Sequence, residues 1–243
     1  MQKSICFYLC LLLWAPLAYA EKLVFTEYDF IGRLGAPEDQ LWYDNIQEAL
    51  KRLGHDFDVR FEPGKQAIHH ALSGQSDGLL FQSPMLKELF PSLVRVEFQL
   101  AVVPIYLYGM KERELDSICE QRIGMLMGFD EFSVRLQELF QCPKPVTPHY
   151  GHYMKKMLMM LKSEQLDWFL APVVMEPFLN AHVDKQFYRL GASEIKLPVY
   201  MYLSEQNQAL AEPLSEALAE VYREKGVDNT SYRPVRLGES LQR

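Results

Sequence analysis

Two stretches of the sequence, about ninety residues apart, repeat the same pattern. The first, 71–81, reads ALSGQSDGLLF, and the second, 160–170, reads MLKSEQLDWFL. Each predicts the end of a helix, a polar break, and an Asp that opens a short apolar run. The break solvates such an Asp, while an apolar run of this kind is typical of a strand covered on both faces. The repetition predicts a chain built from two similar α/β lobes.

The first twenty residues have the features of a secretory leader. Lys3 is their only charge, the apolar stretch from Ile5 to Leu17 is too short to span a bilayer, and Ala18-Tyr19-Ala20 is a small-x-small cleavage site. We expect residues 1–20 to be removed, so that Glu21 begins a mature protein exported to the periplasm. The alternative is a leader that is retained as an anchor.

The charge of the mature chain argues against partners that are held by a positive surface. Without Lys3 the chain has 24 of its 25 Lys and Arg residues against 32 Asp and Glu, a formal charge of −8. Nucleic acid and anionic membranes are therefore not expected as partners. The composition contains no low-complexity linker, so we expect two lobes joined by ordered segments.

Two cysteines remain after the leader, and they flank one predicted strand–helix unit. Cys119 precedes a strand at 122–127, and Cys142 follows a helix at 131–140. Because a crossover helix runs back antiparallel to its strand, its end lies near the start of that strand. In an oxidising compartment this arrangement favours a Cys119–Cys142 disulfide, with two free thiols as the alternative.

Apolar spacing and turn residues predict the remaining elements. In the first lobe we expect strands at 23–26, 57–61 and 78–81 and helices at 39–53, 67–72 and 87–90. In the second we expect a strand near Val146, a Met-rich helix at 153–161, a strand at 168–170 and a helical piece at 177–181. Long apolar strands at 100–108 and 197–203 are candidates for the connections between lobes, and a helix at 209–224 ends at Gly226.

In this order the segments resemble the periplasmic solute-binding proteins of family 3, the amino-acid-binding class with the type II periplasmic-binding fold. The matching pieces include EALKRLG at 48–54, LSGQSDG at 72–78, RIGMLMG at 122–128, and the return strand at 198–203 followed by SEQN. The resemblance implies an α/β fold of two lobes, with open, mostly parallel sheets and two crossover strands as a hinge. It implies lobe 1 at 21–107 and 198–243, and lobe 2 at 108–197.

The sequence departs from that family where its members grip a ligand carboxylate. After the strand at 78–81, family members usually carry a Thr and an Arg, whereas this chain reads Gln82-Ser83-Pro84-Met85-Leu86-Lys87 and has no Arg before Arg95. Lys65 follows the second strand, but it lacks the two-pronged geometry of a guanidinium. We therefore expect aromatic walls and a few hydrogen bonds rather than an α-amino-acid clamp.

Ligands of open α/β sheets bind beyond the carboxyl ends of the strands, and this position nominates the site. Tyr106 lies on the first crossover strand, and the backbone N–H groups after Gly128 suit an acceptor or an anion. For each nominee the alternative is a loop residue packed on its own lobe. The predicted ligand-binding residues are Glu27, Tyr28, Lys65, Phe81, Gln82, Ser83, Tyr106, Gly128, Phe129, Asp130 and Tyr150.

Other constellations give little indication of catalysis or of a metal. His69 and His70 are adjacent and point about 100° apart on a helix, so they do not readily share an ion. Four methionines at 154–160 are interpreted as core filler rather than as a copper site. No nucleophile elbow, phosphate loop or dinucleotide motif is present in the sequence. We expect no metal and no cofactor.

These observations favour a monomeric binding protein that captures a small polar or aromatic-stacking solute and presents it to an inner-membrane permease or sensor. Two alternatives remain from the sequence. One is a periplasmic enzyme, of lyase or dehydratase type, on the same scaffold; the other is an assembly role with an empty cleft.

Overall fold

A computed structural model describes residues 21–28, 40–111, 115–126, 131–151, 153–182, 187–190 and 195–230. The predicted leader and the predicted site residues Gly128, Phe129 and Asp130 lie outside these ranges. The strands are β1 (Glu21–Tyr28), β2 (His55–Glu62), β3 (Gly78–Gln82), β4 (Val94–Arg95), β5 (Ala101–Gly109), β6 (Ile123–Leu126), β7 (His149–Gly151), β8 (Trp168–Pro172), β9 (Tyr188–Leu190) and β10 (Lys196–Leu203). The α-helices are α1 (Gln40–Arg52), α2 (Gly64–Leu72), α3 (Leu86–Leu89), α4 (Glu131–Leu139), α5 (Met154–Lys162), α6 (Glu176–Ala181) and α7 (Ala211–Lys225).

The first part of the sheet is built on β1, which pairs in parallel with both β2 and β3. Helices α1 and α7 pack against each other on one face, with Ile46 and Leu218 fully buried. Helix α2 covers the other face, where the Thr26 hydroxyl reaches the carbonyl of Ala67 at 3.4 Å. The three parallel strands end together, with Tyr28 in register with Glu62.

The second part of the sheet is built on β6, which pairs in parallel with β7 and β8. The strand predicted near Val146 begins three residues later, at His149. Pro145 and Pro148 explain the shift, because a proline has no N–H to donate to a strand ladder. Cys119 and Cys142 form the predicted disulfide, with their Cα atoms 5.4 Å apart.

The two crossover strands connect these parts, and here the pairing becomes antiparallel. Residues 101–104 of β5 pair with 196–199 of β10. Beyond this ladder, β5 pairs with β8 and β9, whereas β10 pairs with β3 and β4. The ladder is thus the junction between the two parallel parts in the strand order β2-β1-β3-β10-β5-β8-β6-β7.

The repeated sequence pattern folds into the same junction twice. Asp77 accepts the backbone N–H of Val24 at 2.6 Å, and its own N–H donates to the Val24 carbonyl at 2.8 Å. Asp167 makes the same two bonds with Arg122, at 2.9 and 2.8 Å. Each Asp therefore ties the start of its own strand to the start of the neighbouring parallel strand, which confirms the predicted repetition.

The methionines of α5 contribute to the core as predicted, but on one face only. Met154 and Met157 are buried, while Met159 is 62% exposed. Adjacent residues point to different sides of a helix, so the run cannot be buried as a whole. Within the described ranges, no helix combines the length and apolar character needed to cross a bilayer.

Candidate functional site

The candidate site lies at the edge of the sheet where the parallel strands β1, β2 and β3 end. Parallel strands bring their carboxyl ends to one edge, and the helices that follow them begin there. Tyr28, Glu62 and Gln82 are the last residues of these strands, and α2 begins at Gly64, directly after β2. Each end therefore contributes side chains to one region.

On the α1 side of this edge, three aromatic rings pack together beside a carboxylate. The Phe81 ring lies 5.2 Å from that of Trp42 and 5.6 Å from that of Tyr43, and both partners come from the first turn of α1. The Tyr43 hydroxyl donates to Oε2 of Glu27, near the end of β1. We call Glu27, Trp42, Tyr43 and Phe81 the Glu27 cluster; all four are half-buried.

Phe81 reaches this cluster with an uncommon backbone conformation. Its φ is 52°, in the left-handed region that residues with a side chain seldom occupy. Such a conformation costs on the order of 1–3 kcal/mol and persists where the surroundings enforce it. Ala171, the residue at the matching position of β8, has no such φ value.

On the α2 side of the edge, Tyr28 forms a second aromatic surface. Its ring packs on the small core of α2 and β3, close to Gly64. Burial raises the pKa of the Tyr28 hydroxyl above its ordinary value, so the phenol stays neutral. A neutral phenol offers both a donor and an acceptor to a ligand.

Tyr200 continues this surface on β10, with Arg95 stacked over it. The guanidinium carbon of Arg95 lies 4.8 Å from the centre of the Tyr200 ring. Nη2 of Arg95 lies 2.6 Å from Oε2 of Glu97. Hydrogen bonding to Glu97 raises the pKa of Arg95. Lys87 on α3 also reaches Glu97, at 3.4 Å, so the charges on this side are linked to one another.

Three residues predicted from this lobe, Lys65, Gln82 and Ser83, differ in burial and in hydrogen bonding. Lys65 is exposed in the first turn of α2, whereas Gln82 is buried and its amide donates to the Leu80 carbonyl at 2.6 Å. The carbonyl of Ser83 accepts from the Tyr202 hydroxyl at 3.0 Å, and burial raises the pKa of Tyr202 to about 12. Gln82 and the Ser83 carbonyl thus hold the local fold, while the Ser83 side chain is half-buried.

Two further predicted residues, Tyr106 and Tyr150, are not brought together. Tyr106 lies on β5 and Tyr150 on β7, and β8 and β6 separate these strands. Tyr106 carries the Arg189 guanidinium 4.5 Å above its ring, while Tyr150 is 39% exposed on the edge strand.

A cavity of about 500 Å³ lies beside β5 and α6, next to Tyr106, whose ring carries the lining residue Arg189. Glu176 lines it and accepts from the Tyr108 hydroxyl at 3.1 Å and from Arg189 at 2.9 Å. Burial, together with this carboxylate, raises the pKa of Tyr108. The lining residues are Tyr108, Glu176, Leu179, Asn180, Phe187, Tyr188 and Arg189.

His70 has a structural role. Nδ1 of His70 lies 2.7 Å from Oε2 of Glu62, which joins α2 to the end of β2. The His69 and His70 rings are 6.1 Å apart and tilted by 47°. The described ranges contain no group of three or more His, Cys, Asp or Glu side chains suited to a metal ion.

Sequence reasoning missed four members of the site: Trp42, Tyr43, Tyr200 and Arg95. The helix predicted at 39–53 contains Trp42, and its place in the first turn of a helix that follows a strand was a signal for the edge. Tyr200 carried a comparable signal, because it alternates with the buried Val199 and Met201 on β10.

Comparison with solved structures places this arrangement in a known fold. The chain is similar to the substrate-binding protein of an amino acid ABC transporter, with a TM-score of 0.63 and 14% identity over 85% of this chain and 95% of that one. A Salmonella typhimurium periplasmic binding protein with high arginine specificity gives 0.63 and 13%, over 84% and 94%. The GluR0 ligand-binding core from Nostoc punctiforme, solved with L-glutamate, gives 0.61 and 10%, over 84% and 94%.

These similarities show that the chain has the two-lobed α/β fold of type II periplasmic-binding proteins, as the sequence predicted. The sheet is mixed, because antiparallel crossover strands separate the parallel parts. No protein-family model and no curated protein matches the chain by sequence. The three solved structures named here are binding proteins or a ligand-binding core rather than enzymes.

Proposed function

We propose that the chain is an exported solute-binding protein that captures a small polar or aromatic-stacking solute between two lobes and presents it to a membrane transporter or sensor. The observation that carries this proposal is the set of aromatic and charged side chains gathered where β1, β2 and β3 end, on a fold shared with binding proteins. In such folds the cleft between the lobes lies beyond these strand ends.

The proposed lobes are 21–107 with 198–243, and 108–197. The narrow connection between the parallel parts supports this division, because among the described residues the strand order joins them through the ladder of 101–104 with 196–199. A two-stranded connection resists bending less than a wide sheet. We propose that the lobes close about this ladder when solute binds.

Both lobes contribute to the proposed binding site. Glu27 and Phe81 support it best, because they come together in one cluster at the strand ends. Gln82 is proposed as a support for the site rather than as a direct contact, since its amide is bonded within β3. The proposed ligand-binding residues are Glu27, Tyr28, Lys65, Phe81, Gln82, Ser83, Tyr106, Gly128, Phe129, Asp130 and Tyr150.

We further propose that residues 1–20 direct export and are removed, and that the mature protein acts as a periplasmic monomer. The Cys119–Cys142 disulfide supports an oxidising compartment. A neighbouring inner-membrane permease or sensor is the proposed protein partner, by analogy with the ABC transporter to which the binding protein above belongs.

Closure can be tested on purified mature protein with small-angle scattering and thermal unfolding. Amino acids, amines, sugars and nucleosides are screened, and any solute that raises the Tm should also compact the particle. Phe81→Leu should weaken both responses. Phe57→Leu is the matched control, because Phe57 lies near the start of β2 and packs on Phe25. Stabilisation by several degrees without compaction, or no response to any solute, would refute the proposal.

A further inference from the structure

The Glu27 cluster has a chemistry of its own within the candidate site. Glu27 supplies a carboxylate at the end of β1, and Trp42, Tyr43 and Phe81 supply three aromatic rings beside it. Tyr43 both contributes a ring and orients the carboxylate, because its hydroxyl donates to Oε2. A carboxylate held in this way keeps further lone pairs for other donors.

The backbone of Phe81 is strained at the place where the cluster forms. A φ of 52° at the end of a strand is costly for a residue with a side chain, and it brings the Phe81 ring against both Trp42 and Tyr43. Strained residues of this kind concentrate in ligand clamps and active sites. At the matching place in the second lobe, Ala171 is followed by Pro172 and Val173, without aromatic or charged side chains.

Aromatic faces and a carboxylate both attract positive charge. A ring carries negative charge on its face, so ammonium and guanidinium groups bind over it, and a guanidinium also stacks flat on it. A neighbouring carboxylate adds charge-assisted hydrogen bonds. An anionic group, by contrast, would meet repulsion from Glu27 at this place.

The opposite side of the edge is less suited to fixing a ligand carboxylate. The Arg95 guanidinium is bound to Glu97 through both Nε, at 3.0 Å, and Nη2, at 2.6 Å. The Ser83 and Pro84 carbonyls accept from Tyr202, at 3.0 and 3.1 Å. Lys65 is exposed on this side but lacks the two-pronged geometry of a guanidinium, so this side suits a ligand carboxylate less well than the Glu27 cluster suits a cation.

We propose that the solute carries an organic ammonium or guanidinium cation, which docks on Glu27 against the rings of Trp42 and Phe81. This inference rests on the proposed solute-binding function and specifies the ligand class of that same site. Tyr43 acts as a positioning residue for the carboxylate. An α-carboxylate on the ligand is not required.

Matched probes separate charge from shape. Arginine and citrulline have nearly the same shape, but citrulline has a neutral urea in place of the guanidinium; agmatine keeps the guanidinium and lacks the α-carboxylate. Choline and 3,3-dimethylbutan-1-ol form a second pair of cation and neutral isostere. By calorimetry we expect at least one cation to bind, roughly tenfold or more tightly than its neutral partner. Agmatine should bind at least as tightly as arginine.

Variants link the preference to the cluster. Glu27→Gln should remove the preference for the cation, and Tyr43→Phe, which keeps the ring, should reduce it by a smaller factor. Glu48→Gln removes an exposed carboxylate of α1 and should leave it unchanged. The binding cation should also change Trp42 fluorescence, and Trp42→Phe should abolish that change while leaving the signal of Trp168, the other tryptophan after the leader, unaltered.

The outcomes distinguish this inference from the function on which it rests. Equal binding of cation and isostere, loss of agmatine binding with retention of arginine, or an unchanged preference in Glu27→Gln would overturn the cation site. So would failure of every cationic probe to bind. If a neutral or anionic solute still compacted the protein, the solute-binding function would stand while the ligand class proposed here would fall.

Discussion

The two Asp junctions share their backbone and differ in their side-chain partners. In both, a serine after the helix donates to the carbonyl three residues earlier: Ser73 to His70 at 3.3 Å and Ser163 to Met160 at 3.2 Å. The other carboxylate oxygen of Asp77, Oδ1, accepts from Asn207, whereas Oδ1 of Asp167 accepts from the Arg122 guanidinium. The backbone pattern is thus repeated, whereas the side chain that binds the second carboxylate oxygen differs between the two junctions.

The residue after each Asp packs closely against a crossover strand. Gly78 follows Asp77, and a Cβ there would lie 2.0 Å from the carbonyl oxygen of Tyr202 on β10. Trp168 follows Asp167, and there the glycine stands on the crossover strand instead: a Cβ on Gly109 would lie 2.8 Å from the Trp168 ring. Close contact between strand and crossover is achieved in both halves, with the small residue on opposite sides.

The largest expected effect comes from a substitution that breaks the contact between β3 and β10. We expect Gly78→Ala to destabilise the protein by roughly 3 kcal/mol or more, because a backbone carbonyl cannot move away as a side chain can. Gly109→Ala should cost less, about 1–3 kcal/mol, since the Trp168 ring can shift. Urea unfolding measures both.

Gly64→Ala is the control for these variants, because a Cβ there would meet only ordinary contacts of 3.6 Å or more with Tyr28. A Gly78→Ala protein as stable as the Gly64→Ala protein would show that β3 and β10 do not approach as closely as described.

The next effect concerns the covalent link that the described part of the first lobe lacks. Reducing Cys119–Cys142 should lower the free energy of unfolding by roughly 2–4 kcal/mol, because the loop it closes spans 23 residues. The double variant Cys119→Ser/Cys142→Ser should be equally destabilised and should not respond to reductant. Two alkylatable thiols in freshly exported, unreduced protein would contradict the link.

Removing the carboxylates tests whether the two junctions are equivalent. Asp77→Ala and Asp167→Ala should each cost roughly 2 kcal/mol, because each leaves the N–H of Val24 or Arg122 without its acceptor. Asn207→Ala and Arg122→Ala should cost less than the corresponding aspartate variant, since the backbone bond remains. Equilibrium unfolding measures these differences in stability. If Asn207→Ala or Arg122→Ala destabilised the protein more than the corresponding aspartate variant, this prediction would be wrong.

The smallest effect lies in the turn before each Asp. Gly74 has φ 72° and Glu164, its counterpart, has φ 58°. Gly74→Ala should therefore destabilise by about 1 kcal/mol, whereas Glu164→Gly should change stability by less than about 1 kcal/mol, in the stabilising direction. Glu164→Gln is the control, because it keeps the strained backbone but loses the exposed ion pair with Lys111. A lower Tm for Glu164→Gly than for Glu164→Gln would contradict the prediction that the backbone at residue 164 is strained.

The sequence predicted local features well because they depend on neighbouring residues. The ends of α1 near Gly54 and of α7 at Gly226, the Asp junctions and the cysteine pair were all foreseen. It did not predict that Asp77 accepts from the N–H of Val24 or that Asp167 accepts from the N–H of Arg122, because these donors lie 53 and 45 residues away in the chain.

The site was harder to predict because its members come from separate elements. Apolar spacing predicted a helix at 39–53, but it did not show that Leu41 is 41% exposed or that Trp42 packs on Phe81 at the sheet edge. Arg95 was noticed only as the first arginine after β3, because its stacking on Tyr200 depends on the pairing of β4 with β10. Spacing along one element cannot reveal such contacts.

The pairing of β3 with β10 sets the order in which the chain can complete its fold. Gly78 lies opposite Leu203, which the ribosome adds only after the whole of β5 to β9. Until then, the N–H and C=O groups along that edge of β3 have no strand partner, and contacts of such long sequence separation form slowly. The first part of the sheet is therefore begun by β1 at Glu21–Tyr28 and completed only when β10 has been added, so that this edge of β3 stays open for most of synthesis.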